Sequence, residues 1–272
     1  TVTAGAAGQM PYGSIRLTAG LAFCLGLILV VVAGAELFTG NNLIVMAWAD
    51  RKVSTAKLLR NWVIVYFGNF VGSLLTVVIM LLAQQYMMSK GAIGVTALNI
   101  ATAKASLSPV AAFFLGIMCN ALVCMAVWLC YSARSTMDKI LAIIFPISAF
   151  VAAGFEHSVA NMYFIPLGIF VKGVPGVVQA AGKTSADLAN LTWSGFVINN
   201  LVPVTLGNIV GGAFLVGVLY WLAYLRKSNA INLPFGGKKK AGCRGDQVTE
   251  NDPRFGNKQI VFNPFRHSHI IR

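Results

Sequence analysis

The sequence predicts an all-α membrane protein built as an inverted three-helix repeat with two broken helices. Three observations carry that expectation. Of 272 residues, 57% are hydrophobic and only 11% are charged, with a mean hydropathy of +0.73, whereas a soluble domain carries about 25% charged residues. Five runs approach the roughly 20 apolar residues that a spanning helix needs. Two motifs also recur in the same order in each half. "GAELFTGN" (34–41) aligns with "GFEHSVAN" (154–161) as G-x-E-x-x-x-x-N, and "GNFVG" (68–72) aligns with "GNIVG" (207–211) as G-N-x-V-G.

The first span, 17–35, is uncharged until Glu36. The apolar piece after it, 43–49, is too short to cross alone and reads as the second half of a discontinuous helix. The second span is 61–88 and the third is 110–131. The fourth, 140–155, runs into the second glutamate motif and is followed by another short apolar piece, 159–170. The fifth is 196–225. Arg51, Lys52, Lys57 and Arg60 follow the first broken helix, Arg134 and Lys139 separate the third and fourth spans, and Arg226 and Lys227 follow the last, with Lys238–Lys240 beyond. An excess of Lys and Arg marks cytoplasmic loops, so the C-terminus is expected inside. The loops with Lys90, Lys104, Lys172 and Lys183 are poorer in charge and are expected outside. The net charge of +13 is thereby a topology signal, and nucleic acid is not an expected partner.

Three spans make up the second half and only two the first, so the repeat predicts a further helix upstream of Thr1. Two copies of an odd-numbered unit must lie in opposite orientations. The organisation expected is a transmembrane domain over 1–227, with its first helix missing, and a polar, basic, flexible cytoplasmic tail over 228–272. Four of the five cysteines lie in apolar runs and read as small buried hydrophobes.

The breaks focus the chemistry. Irregular backbone at membrane depth is tolerated where protein covers it or where it lines a wet cavity. The second half of each broken helix starts with free N–H groups and a partial positive charge, which favours an anion. Within the spans, the side chains that can be charged near neutral pH are Glu36, Glu156 and His157, and an intramembrane charge is a site hypothesis by default. The glutamates occupy the same repeat position, which suits capping of the break more than contact with an anion. His157 aligns with Leu37, so symmetry does not require it, and an imidazole can lend a proton or a hydrogen bond to a weak-acid anion. Asn41 and Asn161 suit the task of satisfying broken backbone. Thr39, Asn69 and Asn208 fit either a structural bond or donation to a passing carboxylate. Leu27, Leu37, Phe38, Phe23 and Phe150 read as packing on composition. Lys104, beside the third span, fits either a solvated lysine or an anion funnel. Gly68, Gly72, Gly207, Gly211 and Gly212 suggest close helix approach. No nucleophile, metal or cofactor motif appears, and His267 and His269 read as part of a solvated tail.

The stretches "AGAELFTGN", "NWVIVYFGNFVGSLL", "GIMCNALVCMAVWL", "YSARSTMDK", "GFEHSVANMYFIPLGI" and "NNLVPVTLGNIVGG" resemble the formate/nitrite transporter family over about 10–227, and its formate channels in particular. The resemblance implies an aquaporin-like fold of six helices per protomer and a homopentamer with one pore in each. It implies a bacterial inner-membrane channel for formate and similar small monovalent anions. By motif, Leu37, Phe38 and Thr39 match a mobile loop at the cytoplasmic constriction. Phe23, Leu27 and Phe150 match the apolar pore lining, with Asn120 and Val123 nearer the cytoplasm. His157 matches a central histidine thought to exchange a proton with the anion. Thr39 and Asn208 match its polar neighbours, and Glu156, Asn161 and Lys104 match a supporting network. Nitrite or hydrosulfide channels of the same family are the near alternatives. A neutral-solute pore would need Asn-Pro-Ala at both breaks, and neither has it. A membrane enzyme using Glu156 and His157 as acid and base would lack a nucleophile or metal, and a scaffold would rest on the basic tail alone.

Overall fold

In the computed structural model every described element is helical, and several of the ends coincide with a cap supplied by the sequence. The structure describes residues 2–6 and 9–226; the expected tail from 228 on, with Lys238–Lys240, His267 and His269, lies outside the described residues. Helix α1 is Tyr12–Ala33 and ends at Gly34, whose φ of 80° is in the left-handed region that glycine adopts without strain. Two short helices follow, α2 at Phe38–Asn41 and α3 at Ile44–Ala49. Helix α4 is Thr55–Leu82, begun by Ser54, whose hydroxyl accepts from the Lys57 amide. After a 3-10 turn at Gln85–Met87 comes α5, Ala92–Ala105. Helix α6 is Pro109–Ser132, with Ser108 as its cap and proline in its first turn. Helix α7, Thr136–Ala153, opens on a reciprocal pair in which Ser135 caps the Asp138 amide and Asp138 caps Ser135, and it ends at Gly154 with φ 78°. Helix α8 is Ser158–Val171 and α9 is Pro175–Ala180. Helix α10, Gly195–Leu225, is α-helical over Val202–Ile209 and π-helical on both sides of that core.

Five of these helices, α1, α4, α6, α7 and α10, are long and apolar enough to cross a membrane. They fall on the five spans expected from the sequence, and α3 and α8 on the two short pieces. Their outward faces are apolar: Leu21, Leu25, Val63, Phe67, Phe114 and Phe214 are all exposed, as suits contact with lipid chains.

The packing is tightest where glycine removes the side chain. A Cβ on Gly207 would run into the Phe113 carbonyl and one on Gly211 into the Ile117 carbonyl. Gly116 of α6 meets the Val204 carbonyl of α10 in the same way, at 2.8 Å for a built Cβ. Helices α6 and α10 are thereby locked backbone to backbone. At Gly20 a Cβ would lie 2.8 Å from the Ser148 carbonyl, which sets the crossing of α1 and α7. Gly68 and Gly72 differ from the expectation: nothing stands within 4 Å of a Cβ at either. They occupy the repeat positions of Gly207 and Gly211, but the repeat counterpart of α6 is not among the described residues.

A second difference concerns 92–105, read from sequence as part of an outward loop. It is helix α5, and it packs along α8. Leu98 and Ala101 are fully buried there together with Met162 and Ile165 of α8. Gly168 permits the contact, since a Cβ would collide with Ala101.

Candidate functional site

The two breaks are closed by matching asparagine bonds. After Gly34 and after Gly154 three residues lie outside any helix, the last of them extended (Leu37 and His157), and the chain then re-enters a helix, α2 or α8. At the first break the Phe38 amide donates to Asn69 Oδ1 at 2.9 Å, and Asn69 Nδ2 donates to the Glu36 carbonyl at 3.0 Å. At the second, the Ser158 amide donates to Asn208 Oδ1 at 2.9 Å, and Asn208 Nδ2 donates to the Glu156 carbonyl at 3.0 Å. Asn41 Nδ2 reaches Glu36 Oε2 at 2.5 Å and Asn61 Oδ1 at 3.0 Å; Asn161 Nδ2 reaches Glu156 Oε2 and Asn200 Oδ1, both at 2.7 Å. Each asparagine of the G-N-x-V-G motif therefore closes one break by taking a free amide and giving to a free carbonyl. Tyr66 Oη and Thr205 Oγ1, 3.0 Å apart, join the two helices that carry these asparagines.

The breaks part company at their charges. Glu36 is exposed, whereas Glu156 is only 4% exposed. A carboxylate buried alone is costly by several kcal/mol. Glu156 is met by Lys104 Nζ at 2.7 Å, by Asn161 at 2.7 Å and by Asn200 Nδ2 at 3.3 Å. Lys104 comes from the last turn of α5, not from a loop, and Asn200 Nδ2 also closes that turn by donating to the Lys104 carbonyl at 3.1 Å.

His157 is the cap of α8. Its Nδ1 accepts the Ala160 amide at 3.1 Å, and its Nε2 lies 3.0 Å from Thr39 Oγ1. An imidazole nitrogen that accepts an N–H cannot carry a proton, so the arrangement assigns the Nε2–H tautomer, with Thr39 as acceptor. Thr39 is fully buried, and its carbonyl takes a weak bond from Cys124 Sγ at 3.4 Å. The ring of Phe150 stacks on the imidazole at 6.0 Å, and Phe23 stands edge-on to Phe150 at 5.5 Å.

These groups border a cavity of about 240 Å³ lined by Phe23, Leu27, Leu37, Val123, Phe150 and His157, with Tyr163 and Phe164 of α8 alongside. Among its lining residues only the imidazole and the Tyr163 phenol are polar. Five apolar residues singled out by motif thus meet His157 in one wall. Phe38 does not. It packs on Tyr66 at 4.9 Å and Trp62 at 6.2 Å and lines a separate surface groove with them. The reason is local: α2 starts at residue 38, so Leu37 faces the cavity and the next side chain turns away. Asn120 also lies off the lining. It is fully buried and donates to the Asn208 carbonyl at 2.7 Å, tying α6 to α10. Asn208 holds the peptide on either side of His157 rather than the imidazole itself, and also donates to the Gly116 carbonyl at 2.8 Å.

Sequence reasoning passed over Asn61 and Asn200, although both precede their G-N-x-V-G asparagine by eight residues, a further repeat of the same kind. It also passed over Tyr163 and Phe164, which look like ordinary apolar-helix residues. Arg16 was missed because it precedes the first apolar run. Its Nε lies 3.3 Å from the Ala152 carbonyl, and its Nη2 donates to that of Val151. Among the described residues no group of three or more His, Cys, Asp or Glu is placed to hold a metal.

Comparison with known proteins converges on one family. The family model for formate/nitrite transporters matches residues 1–222. The formate channel FocA of Escherichia coli (strain K12) is 46% identical over 231 residues, covering 84% of this chain and 81% of the relative. FocA of Haemophilus influenzae is 43% identical with the same coverage, 84% and 81%. A solved pentameric formate channel with formate bound superposes with a TM-score of 0.75 at 49% identity, covering 83% of this chain and 89% of that one.

Proposed function

The chain belongs to the formate/nitrite transporter family, and we propose that it passes formate and related small monovalent weak-acid anions across the membrane as a homopentamer, with a proton exchanged at His157. It is a multi-pass membrane protein. The observation that carries the proposal is the cavity in which a capped imidazole faces a wall of Phe23, Leu27, Leu37, Val123 and Phe150. A bare anion loses its hydration against such a wall, at a cost no side chain there repays. Either a hydrogen bond or a proton lowers that cost. The Nε2–H, held on Thr39 in the resting site, supplies the hydrogen bond when it turns from the threonine to the anion. For transfer, a proton on Nδ1 and the bond from the Ala160 amide exclude one another. The ring gives up its role as the cap of α8 when a proton from water reaches Nδ1 and makes it imidazolium. After the Nε2 proton has passed to the anion and the neutral acid has left, the remaining proton must move from Nδ1 to Nε2 before Nδ1 can accept the Ala160 amide again.

Around this centre, Glu156, Lys104, Asn161 and Asn208 hold the break that presents the imidazole. Glu36, Asn41 and Asn69 do the same structural work at the other break. The wider proposal is an aquaporin-like inverted repeat, supported by the matching asparagine bonds at the two breaks. The basic residues at Arg51–Arg60 and Arg134 favour an inner-membrane protein with a cytoplasmic C-terminus. Residues 1–227 would form the channel and 228–272 a tail outside it. Liposome flux with formate, acetate, nitrite and hydrosulfide tests the reading. Formate is expected to be carried fastest. Preference for nitrite or hydrosulfide would move the chain to another branch of the family, and glycerol-driven swelling would replace the anion reading altogether.

A further inference from the structure

Arg16 stands outside every role assigned so far. It lies in the second turn of α1, half-buried, and its guanidinium reaches across to α7. It donates through Nη2 to the Val151 carbonyl and through Nε to the Ala152 carbonyl at 3.3 Å. A Cβ on Gly154 would come within 3.3 Å of Nη2, so the fork lies flat against the turn that ends α7. Val151 and Ala152 are among the last carbonyls of α7, which have no partner within their own helix. The Phe155 and Gly154 amides take those of Phe150 and Val151, at 3.1 Å each. Arg16 adds the bond to Ala152.

The place matters as much as the bonds. Helix α7 ends at the break that presents His157, and Phe150 in its last turn lines the cavity and stacks on the imidazole. The C-terminal end of a helix carries about half a negative charge. An anion approaching His157 along the Phe150 wall would meet that negative end. A guanidinium laid on the same carbonyls replaces it with net positive charge. The matching end of α1, at Gly34, carries backbone bonds of the same kind, Gly34 to the Val30 carbonyl at 3.2 Å and Ala35 to the Leu29 carbonyl at 3.4 Å, so the guanidinium is an addition to the backbone closure at α7 and not a substitute for it.

We propose that Arg16 is a positioning and charge-setting residue of the pore, which locks the last turn of α7 behind Phe150 and cancels its negative end on the anion's path. The proposal rests on the reading that a small anion passes the His157 cavity. Full-length protein in liposomes tests it, with formate influx per folded channel and the anion-over-cation selectivity both measured. Arg16→Gln should slow formate roughly three- to thirty-fold, the range for a charge at a partly buried helix end, and weaken anion selectivity. Arg16→Lys should keep the selectivity and most of the flux, because the charge stays although the planar fork is lost. Wild-type flux and selectivity in Arg16→Gln would overturn the proposal, even if that variant melts earlier, since a purely structural cap predicts that pattern. A loss in Arg16→Lys as deep as in Arg16→Gln would overturn it too. If Arg16→Gln fails to assemble, the lysine variant decides: selectivity like wild type supports the charge role and its loss refutes it. A wild-type channel that carries no formate would remove the functional reading and this proposal together, whereas active wild type with an indifferent Arg16→Gln removes this proposal alone.

Discussion

Replacing Lys104 by methionine isolates the buried charge pair. The substitution keeps most of the stem volume and removes the ammonium 2.7 Å from Glu156 Oε1. The Glu156 side chain is 5% exposed, so its remaining charge has little access to water. Breaking one partner of a buried pair costs about 3–5 kcal/mol because the other charge is stranded. Here Asn161 at 2.7 Å and Asn200 at 3.3 Å stay on the carboxylate, which places the expected loss near the lower end, about 3 kcal/mol. For a domain of this size that corresponds to a fall in melting temperature of about 6–12 °C. Thermal unfolding of the detergent-solubilised protein, followed by tryptophan fluorescence, measures it. Lys104→Met combined with Glu156→Gln should recover most of the loss, since glutamine keeps an acceptor for Asn161 and carries no charge. A single variant that melts like wild type, or a double variant no more stable than Lys104→Met, would refute the assignment of Lys104 as the counter-charge of Glu156.

Two further outcomes follow from contacts of a different kind. Thr39→Val removes the acceptor of the His157 Nε2–H; formate flux should fall about tenfold, equivalent to about 1.4 kcal/mol, with assembly unchanged by size exclusion, and Thr39→Ser should restore it. Gly207→Ala drives a methyl into the Phe113 carbonyl and should cost about 1–3 kcal/mol, seen as early melting. Gly176→Ala in α9, where a Cβ meets nothing within 4 Å, should melt like wild type.

Much of this architecture is legible in the sequence because its signals are local. A run of apolar residues long enough to span, a glycine ending it and a glutamate after the glycine lie within a few positions of each other. The repeat then marks both breaks, and its asparagines turn out to close them with identical bonds. What escaped depends on contacts between distant positions. Helix α5 is too short to span and ends in Lys104, so it reads as a loop; it is a core element only because α8 packs on it. The partner of Lys104 lies 52 residues away. Leu37 and Phe38 are both apolar neighbours, and which of them faces the cavity is decided by the residue at which α2 begins. Asn120 looks like a polar group in a pore-lining helix, yet its amide is spent on the Asn208 carbonyl of a neighbouring helix. A cation placed before an apolar run, as Arg16 is, looks like a flank until the fold brings a helix end to it.

The central claim is that His157 exchanges a proton with the passing anion. The most direct measurement is formate flux into liposomes across pH, for wild type and for His157→Phe, with the folded channel quantified in each. The account predicts a pH-dependent wild-type flux and a variant in which that dependence is altered or lost. The same flux and the same pH response in His157→Phe would contradict it.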